Sequence, residues 1–272
     1  MSVGGWSYDK LAFLAYYVRG FAKLCTKKAH GWYFIDAFAG LGAAEAPDLG
    51  VIKGSALIGL TQAFPPTRAL LIEQNPEACE ILRSRCAKTA PPHDVLLGDA
   101  NEILSQELRR LPDRRLPAFC VLDPFGLDVS WEMVELLAER RIGSFRYELL
   151  IYFPTPGLVR SAGVQHEDVI AQNETKLTRL FGDDSWKSIA ERQRAGDLRG
   201  LDARDEYLGL YVAKLKGLKY QHVFTRAVRK QARDELAYQL VFATDNDAGR
   251  SIMRDAFDKA PFAKPTLPGF GS

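Results

Sequence analysis

The 272-residue sequence has few cysteines and histidines, and neither residue type is clustered. Cys25, Cys79, Cys86 and Cys120 form no CxxC pair, and the four histidines are scattered along the chain. This spacing argues against a structural zinc site. Free, mostly buried thiols in a reducing compartment fit cysteines of this kind, so we expect a cytoplasmic protein.

Long apolar runs and a strong net charge are also absent. No hydrophobic segment reaches the roughly 18–20 residues of a membrane span, and no signal peptide opens the chain. We therefore expect no membrane association. The 36 Lys and Arg residues against 34 Asp and Glu leave a formal net charge of +2, which neither demands nor excludes a nucleic-acid partner.

The sequence instead alternates short apolar segments with amphipathic ones. The pattern predicts strands at 32–36, 68–73, 93–97, 117–122 and 148–153. It predicts helices at 8–28, 54–64, 76–88, 101–110 and 131–140, with Asn75 and Ser130 as N-caps, and a long loop at 43–53. Strands that alternate with helices indicate a doubly wound α/β fold, a parallel sheet with helices on both faces.

Acidic residues follow the predicted strands. Asp36 and Glu73 end two of them, and Asp99 and Asp123 come just after two others. Because ligands of open α/β sheets bind at the carboxyl ends of the strands, we expect these acids to line one site. Four carboxylates repel phosphate and favour a ligand rich in cationic, hydroxyl and amino groups, such as S-adenosylmethionine. A single acid such as Asp99 is more often a turn former or helix cap.

The position of each acid suggests a role in such a site. Glu73, after the second strand, is placed for ribose hydroxyls, Asp99 for the adenine amino group and Asp36 for the cationic methionine end. Gly40 and Gly42 follow the first strand and let a ligand approach the backbone.

The last third of the chain has a different pattern. Residues 157–217 are polar and helical, and we expect them to form an insertion that covers the mouth of the site. Segments 220–228 and 236–244 predict an antiparallel hairpin at the sheet edge, followed by a helix at 246–259 and an irregular tail from 261. The predicted division is thus a Rossmann-like domain of residues 1–156 and 218–272 with a helical insertion at 157–217.

Five segments resemble the bacterial three-Cys-motif partner proteins: FIDAFAGLG at 34–42, GSALI at 54–58, IEQNP at 72–76, GDAN at 98–101 and LDPFGL at 122–127. More broadly, the chain resembles class I S-adenosylmethionine-dependent methyltransferases. The resemblance covers residues 8–160 and the closing strand and helix. It implies a seven-stranded, mostly parallel sheet, S-adenosylmethionine as cofactor and a radical-SAM-like three-Cys-motif protein as partner. It places cofactor contacts at Asp36, Phe38, Gly40, Gly42, Glu73, Gln74, Asp99 and Ala100.

The segment Asp123-Pro124-Phe125-Gly126 resembles the Asp-Pro-Pro-Tyr/Phe motif of amino-methylating enzymes. In that motif the acid and a carbonyl accept the amino hydrogens, and the aromatic ring stacks on an extruded base. Here Phe125 replaces the second proline and Gly126 the aromatic residue, so Phe125 or Trp131 must supply the stacking. The candidate catalytic residues are Asp123, Pro124 and Phe125.

A nucleic-acid acceptor gains support from a mild basic excess. Residues 155–233 contain 15 Lys and Arg against 10 Asp and Glu, densest at Arg226, Arg229, Lys230 and Arg233. A charge run beside a hairpin turn also protects a sheet edge from unwanted pairing.

Three alternatives to an active methyltransferase differ in how well the sequence fits them. A non-catalytic scaffold that keeps the fold for its partner stays open. A nicotinamide dehydrogenase is disfavoured because Glu45 replaces the third glycine of the fingerprint, and Glu73 follows Gly42 by 31 residues where about 20 are expected. A P-loop is excluded because Lys53-Gly54-Ser55 has the wrong order.

Overall fold

A seven-stranded sheet forms the centre of the computed structural model, which describes residues 5–46, 50–111, 115–142, 145–164, 167–230 and 235–259. The strands are β1 (Tyr33–Asp36), β2 (Ala43–Ala46), β3 (Gly50–Lys53), β4 (Arg68–Glu73), β5 (His93–Leu97), β6 (Ala118–Leu122), β7 (Arg141–Ile142), β8 (Phe145–Arg146), β9 (Glu148–Phe153), β10 (His222–Lys230) and β11 (Glu235–Thr244). The helices are α1 (Gly5–Ala29), α2 (Ser55–Leu60), α3 (Pro76–Cys86), α4 (Ala100–Arg109), α5 (Trp131–Glu139), α6 (Thr155–Ala162), α7 (Glu167–Phe181), α8 (Lys187–Ala195), α9 (Gly200–Gly217) and α10 (Asp247–Lys259).

The order of strands in the central sheet is β10-β11-β9-β6-β1-β4-β5. β5, β4, β1, β6 and β9 run parallel, whereas β11 pairs antiparallel with β9 and with the edge strand β10. Counted along the chain within this sheet, the strands read 3-2-1-4-5-7-6 from the β5 edge. This is the topology of the class I methyltransferase type, so the predicted fold class and the antiparallel C-terminal hairpin are confirmed.

Helices cover both faces of the sheet, as predicted. Successive side chains of β1 point to opposite faces. Tyr33 and Ile35 enter a core that includes side chains of α4, α5 and α6 to α9, while Trp32 and Phe34 enter one that includes side chains of α1, α2, α3 and α10. Burial on both faces explains why β1, β6 and β9 are apolar along nearly their whole length.

The helices α6 to α9 occupy the segment that was predicted as an insertion. Side chains of Phe181, Tyr207 and Tyr211 are buried with Phe153 of β9, so these helices share one core with the sheet. Arg179 of α7 reaches the carboxyl end of the sheet, where its guanidinium lies 3.5 Å from a carboxylate oxygen of Asp99. The division of the chain into a sheet domain and an insertion stays a prediction.

The predicted loop at 43–53 is wrong, because most of it forms the hairpin of β2 and β3. Positive φ angles at Gly42 (71°) and Gly50 (68°) turn the chain at the start of each strand. The Gly54 amide then donates to the Gly42 carbonyl at 2.8 Å and closes the base of the hairpin. Strands of only four residues give little periodic signal, and the two-residue strands β7 and β8 give less still.

Other boundaries agree with the sequence pattern. β4, β5 and β9 begin and end at the predicted residues. The side chains of Asn75 and Ser130 accept hydrogen bonds from the Ala78 and Met133 amides, which confirms both N-caps. Helix α2 ends at Leu60, before the predicted residue 64 and ahead of a Pro-Pro pair at 65–66 that disfavours helical backbone.

All four cysteines are buried and free, as expected. None of the helices in the described ranges has both the length and the apolar character needed to cross a membrane. The tail from residue 261 and the hairpin turn with Arg233 lie outside the described residues.

Candidate active site

A cleft of about 1020 Å³ opens at the carboxyl ends of the parallel strands. Its lining includes ten of the eleven residues singled out from the sequence: Phe38, Gly40, Gly42, Glu73, Gln74, Asp99, Ala100, Asp123, Pro124 and Phe125. The cleft is as large as the upper end of ordinary ligand pockets, so it has room for a cofactor and part of a second molecule.

Glu73 shapes the wall of the cleft next to β1. One carboxylate oxygen accepts the Gly40 amide at 2.9 Å, and the other accepts the Asn75 amide at 2.7 Å. Each oxygen keeps a second lone pair for a ligand hydroxyl. Gly40 has a φ of 58° and no atom within 4 Å of where a Cβ would lie, so the turn is open on this side.

Gly42 is required for a different reason from the one expected. A Cβ here would lie 2.7 Å from a methyl carbon of Leu82 in α3, and φ is positive. The glycine therefore allows the turn to pack closely against the protein's own helix, in addition to lining the cleft.

Asp99 is the N-cap of α4, which is the more common role of a single acid after a strand. It also lines the cleft. One oxygen accepts hydrogen bonds from the amide and the side-chain amide of Asn101, at 2.9 and 2.7 Å. Asn101 was missed from the sequence. Its side chain also donates to the Asp128 carbonyl and accepts from the Ser130 amide, both at 3.0 Å. Asn101 thereby joins the turn after β5 to the turn after β6.

Asp36 is the predicted site residue that lies outside the lining. Its side chain is fully buried, and one oxygen accepts the Phe38 amide at 3.3 Å. The other oxygen has no hydrogen-bond partner among the described residues. Burial raises the pKa of Asp36 to about 7, outweighing the lowering effect of the nearby Ser55 hydroxyl. Asp36 is thus buried next to the lining residues Ala37 and Phe38 and does not itself line the cleft.

Asp123 carries an ion pair that the sequence did not predict. One of its oxygens contacts the ammonium of Lys10 in α1. That ammonium also lies 4.3 Å from the centre of the Tyr152 ring and 5.9 Å from that of Tyr238. All four residues line the cleft. No sequence motif includes Lys10, Tyr152 or Tyr238, because α1, β9 and β11 have the patterns of ordinary packing elements. The ion pair also joins residues that are 113 positions apart.

The two aromatic candidates for stacking differ in accessibility. Phe125 is 89% exposed and lines the cleft. Trp131 is buried, packs edge-on against Tyr211 at 5.4 Å and donates its indole N–H to Glu135 at 2.7 Å. Of these two rings, Phe125 is therefore the one that a ligand in this cleft can reach.

No protein-family model and no curated protein matches the chain. Solved structures with a related arrangement include protein LPL1258 from Legionella pneumophila, at 10% identity, 90% coverage of both chains and a TM-score of 0.48. Trm1 from Pyrococcus horikoshii, in complex with S-adenosyl-L-methionine, has 12% identity, covers 90% of this chain and 58% of its own, and has a TM-score of 0.40. The plantazolicin methyltransferase BamL, in complex with SAH, has 11% identity, 86% coverage of both chains and a TM-score of 0.37.

The strand order in the chain's own sheet defines its class, which is a class I methyltransferase-like fold.

Proposed function

We propose that this chain is an S-adenosylmethionine-dependent methyltransferase that methylates an amino group of a nucleic acid. The observation that carries the proposal is the joint placement of Glu73, Asp99 and Asp123 in one cleft at the carboxyl edge of this sheet. Carboxylate oxygens are acceptors for the hydroxyl and amino donors of such a cofactor and acceptor.

The cleft fits the chemical groups of the proposed cofactor. Glu73 has the spare lone pairs to accept ribose hydroxyls, and Asp99 and Ala100 are assigned to the adenine end. The open turn at Gly40 is assigned to the methionine end, with Phe38, Gly42 and Gln74 completing the walls. Asp36 holds this turn through the Phe38 amide, which donates to one of its carboxylate oxygens. When bound, the cofactor supplies an electrophilic methyl group on a sulfonium.

Asp123 and Pro124 are assigned to the methyl acceptor. The Asp123 carboxylate and the Pro124 carbonyl accept hydrogens from the acceptor amine and so orient its lone pair. Both contacts strengthen as the nitrogen becomes positive in the transition state, which is where binding accelerates the reaction. The exposed Phe125 ring offers a stacking surface for a planar base.

Within this proposal, the motif segments at 34–42, 72–76 and 122–127 support membership of the three-Cys-motif partner family. The expected partner is the radical-SAM-like three-Cys-motif protein. Co-purification of the two chains from a common expression host tests this part, and separate elution of both proteins at micromolar concentration would contradict it.

The Lys10–Asp123 ion pair favours a second candidate function. The Asp123 carboxylate is already paired with Lys10, and Gly126 stands where the motif has an aromatic residue. Both features fit a scaffold that binds the cofactor without transferring the methyl group. Transfer of tritiated methyl to total RNA, DNA and protein, with and without the partner, separates the two. Incorporation into nucleic acid supports the enzyme. No incorporation despite measured cofactor binding supports the scaffold.

A further inference from the structure

Lys10 approaches the proposed acceptor site from a helix outside all of the sequence motifs. Its side chain is 14% exposed, and its ammonium lies between the Asp123 carboxylate and the Tyr152 ring. An ammonium over an aromatic face next to a carboxylate is held in a defined position. Lys10 is thus a hydrogen-bond donor held next to Asp123, the residue assigned to the methyl acceptor.

The Lys10–Asp123 pair keeps unused hydrogen-bonding capacity. Asp123 uses one carboxylate oxygen for Lys10, and its other oxygen accepts no hydrogen bond within the described ranges. An ammonium has three N–H donors, of which the ion pair occupies one. The pair therefore presents an acceptor and a donor side by side in the cleft.

We infer that Lys10 is a specificity-determining residue, and that Lys10 and Asp123 together select a base that presents an amino group beside an unprotonated ring nitrogen on its pairing edge. This inference rests on the proposed function. The amino N–H donates to Asp123, and Lys10 donates to the ring nitrogen. Adenine and cytosine carry this donor–acceptor pair on their pairing edges.

Other acceptors do not match this arrangement. Guanine presents two neighbouring donors on its pairing edge, and one of them would face the Lys10 ammonium. Uracil has no amino group. A protein amine lacks the neighbouring acceptor and, when protonated, is repelled by Lys10. Sites built to hydrogen-bond a specific group discriminate strongly against analogues that lack it, because their own polar groups are then left unpaired.

Ring-nitrogen analogues test this inference directly. Short single-stranded RNA oligomers of adenosine, cytidine, guanosine and uridine are titrated into the full chain saturated with S-adenosylhomocysteine. Matched oligomers carry 1-deazaadenosine or 3-deazacytidine, which replace the ring nitrogen by C–H. We expect the wild-type chain to bind an adenosine or cytidine oligomer about ten- to a hundredfold more tightly than its deaza analogue.

Lys10 variants show whether this residue causes the preference. Lys10→Met should bind the natural and deaza oligomers equally, and Lys10→Arg should retain the preference. Lys23→Met, on the exposed face of the same helix, is the matched control and should behave as the wild type. A general loss of folding would abolish binding of both oligomers, whereas Lys10→Met should bind both with the affinity that the wild type has for the deaza oligomer.

Three results would overturn the inference while leaving the proposed function standing, provided that S-adenosylmethionine still binds. These are equal binding of natural and deaza oligomers by the wild type, a preference that persists in Lys10→Met, and tighter binding of guanosine oligomers. Absence of S-adenosylmethionine binding would overturn both the proposed function and the inference.

Discussion

Glu73 and Asp123 are both carboxylates at strand ends, but the groups that hold them differ. Backbone amides bind Glu73 on both oxygens, so Glu73 fixes the shape of the turns around it. A side chain from another helix binds only one oxygen of Asp123, and the other oxygen accepts no hydrogen bond among the described residues. We therefore assign Glu73 to binding the cofactor and Asp123 to the transfer step.

Substitution of Asp123 tests this assignment. Asp123→Ala should lose methyl transfer by about a hundredfold or more, since a preorganised group at a developing charge contributes this much. Its affinity for S-adenosylmethionine should change little. Single-turnover transfer and calorimetric titration measure the two effects. Transfer that survives the substitution would remove Asp123 from the centre of the reaction, and a loss of the folded state would show that it only forms the turn.

At the scale of elements, the helices α6 to α9 are joined to the sheet through an aromatic cluster. The ring of Tyr211 in α9 lies 4.6 Å from that of Phe153 in β9 and 5.4 Å from that of Trp131 in α5. Its hydroxyl is buried without a hydrogen-bond partner among the described residues. The ring stabilises the contact, whereas the hydroxyl opposes it through its lost hydration.

Removal of this hydroxyl should stabilise the protein. Tyr211→Phe should raise the free energy of unfolding by about 1 kcal/mol, because it removes an unpaired buried polar group. Tyr220→Phe is the matched control, since the buried Tyr220 hydroxyl donates to the Tyr147 carbonyl at 2.8 Å and its loss should lower stability by about 1 kcal/mol. Denaturant unfolding measures both. Equal destabilisation by the two substitutions would mean that the Tyr211 hydroxyl has a partner.

The sequence predicted the elements better than the contacts between them. The strands that end at Glu73, Leu97 and Phe153 were predicted to the residue, because apolar runs bounded by turn formers are a strong local signal. The β2–β3 hairpin was missed because its short strands lack that signal. The contact of Lys10 with Asp123 could not be predicted, because it depends on how α1 packs across the sheet and not on any local pattern.

For the whole molecule, two buried carboxyl groups dominate the expected pH dependence. Burial raises the pKa of both Asp36 and Glu148 to about 7. Glu148 accepts hydrogen bonds from the Tyr17 and Thr244 hydroxyls, yet desolvation outweighs them. In both cases the folded state binds protons more tightly than the unfolded chain, whose carboxyl groups titrate near pH 4.

Stability should therefore fall as the pH rises from about 4 to about 7, and level off above that range. The decrease from each group is at most about 1.4 kcal/mol for each pH unit. Asp36→Asn and Glu148→Gln should each flatten the profile, and the double variant should flatten it most. Denaturant unfolding across this pH range measures the effect. A stability that rises with pH in the wild type, or a slope unchanged in both variants, would contradict it.

The binding of S-adenosylmethionine to the cleft is the central claim, and calorimetric titration tests it most directly. S-adenosylmethionine should bind the wild-type chain, NAD should not, and Glu73→Ala should weaken S-adenosylmethionine by about 1–3 kcal/mol, the usual loss for a hydrogen bond to a charged group. Asp99→Ala should act in the same direction. No measurable heat with S-adenosylmethionine, tighter binding of NAD, or an affinity unchanged in both variants would contradict the account.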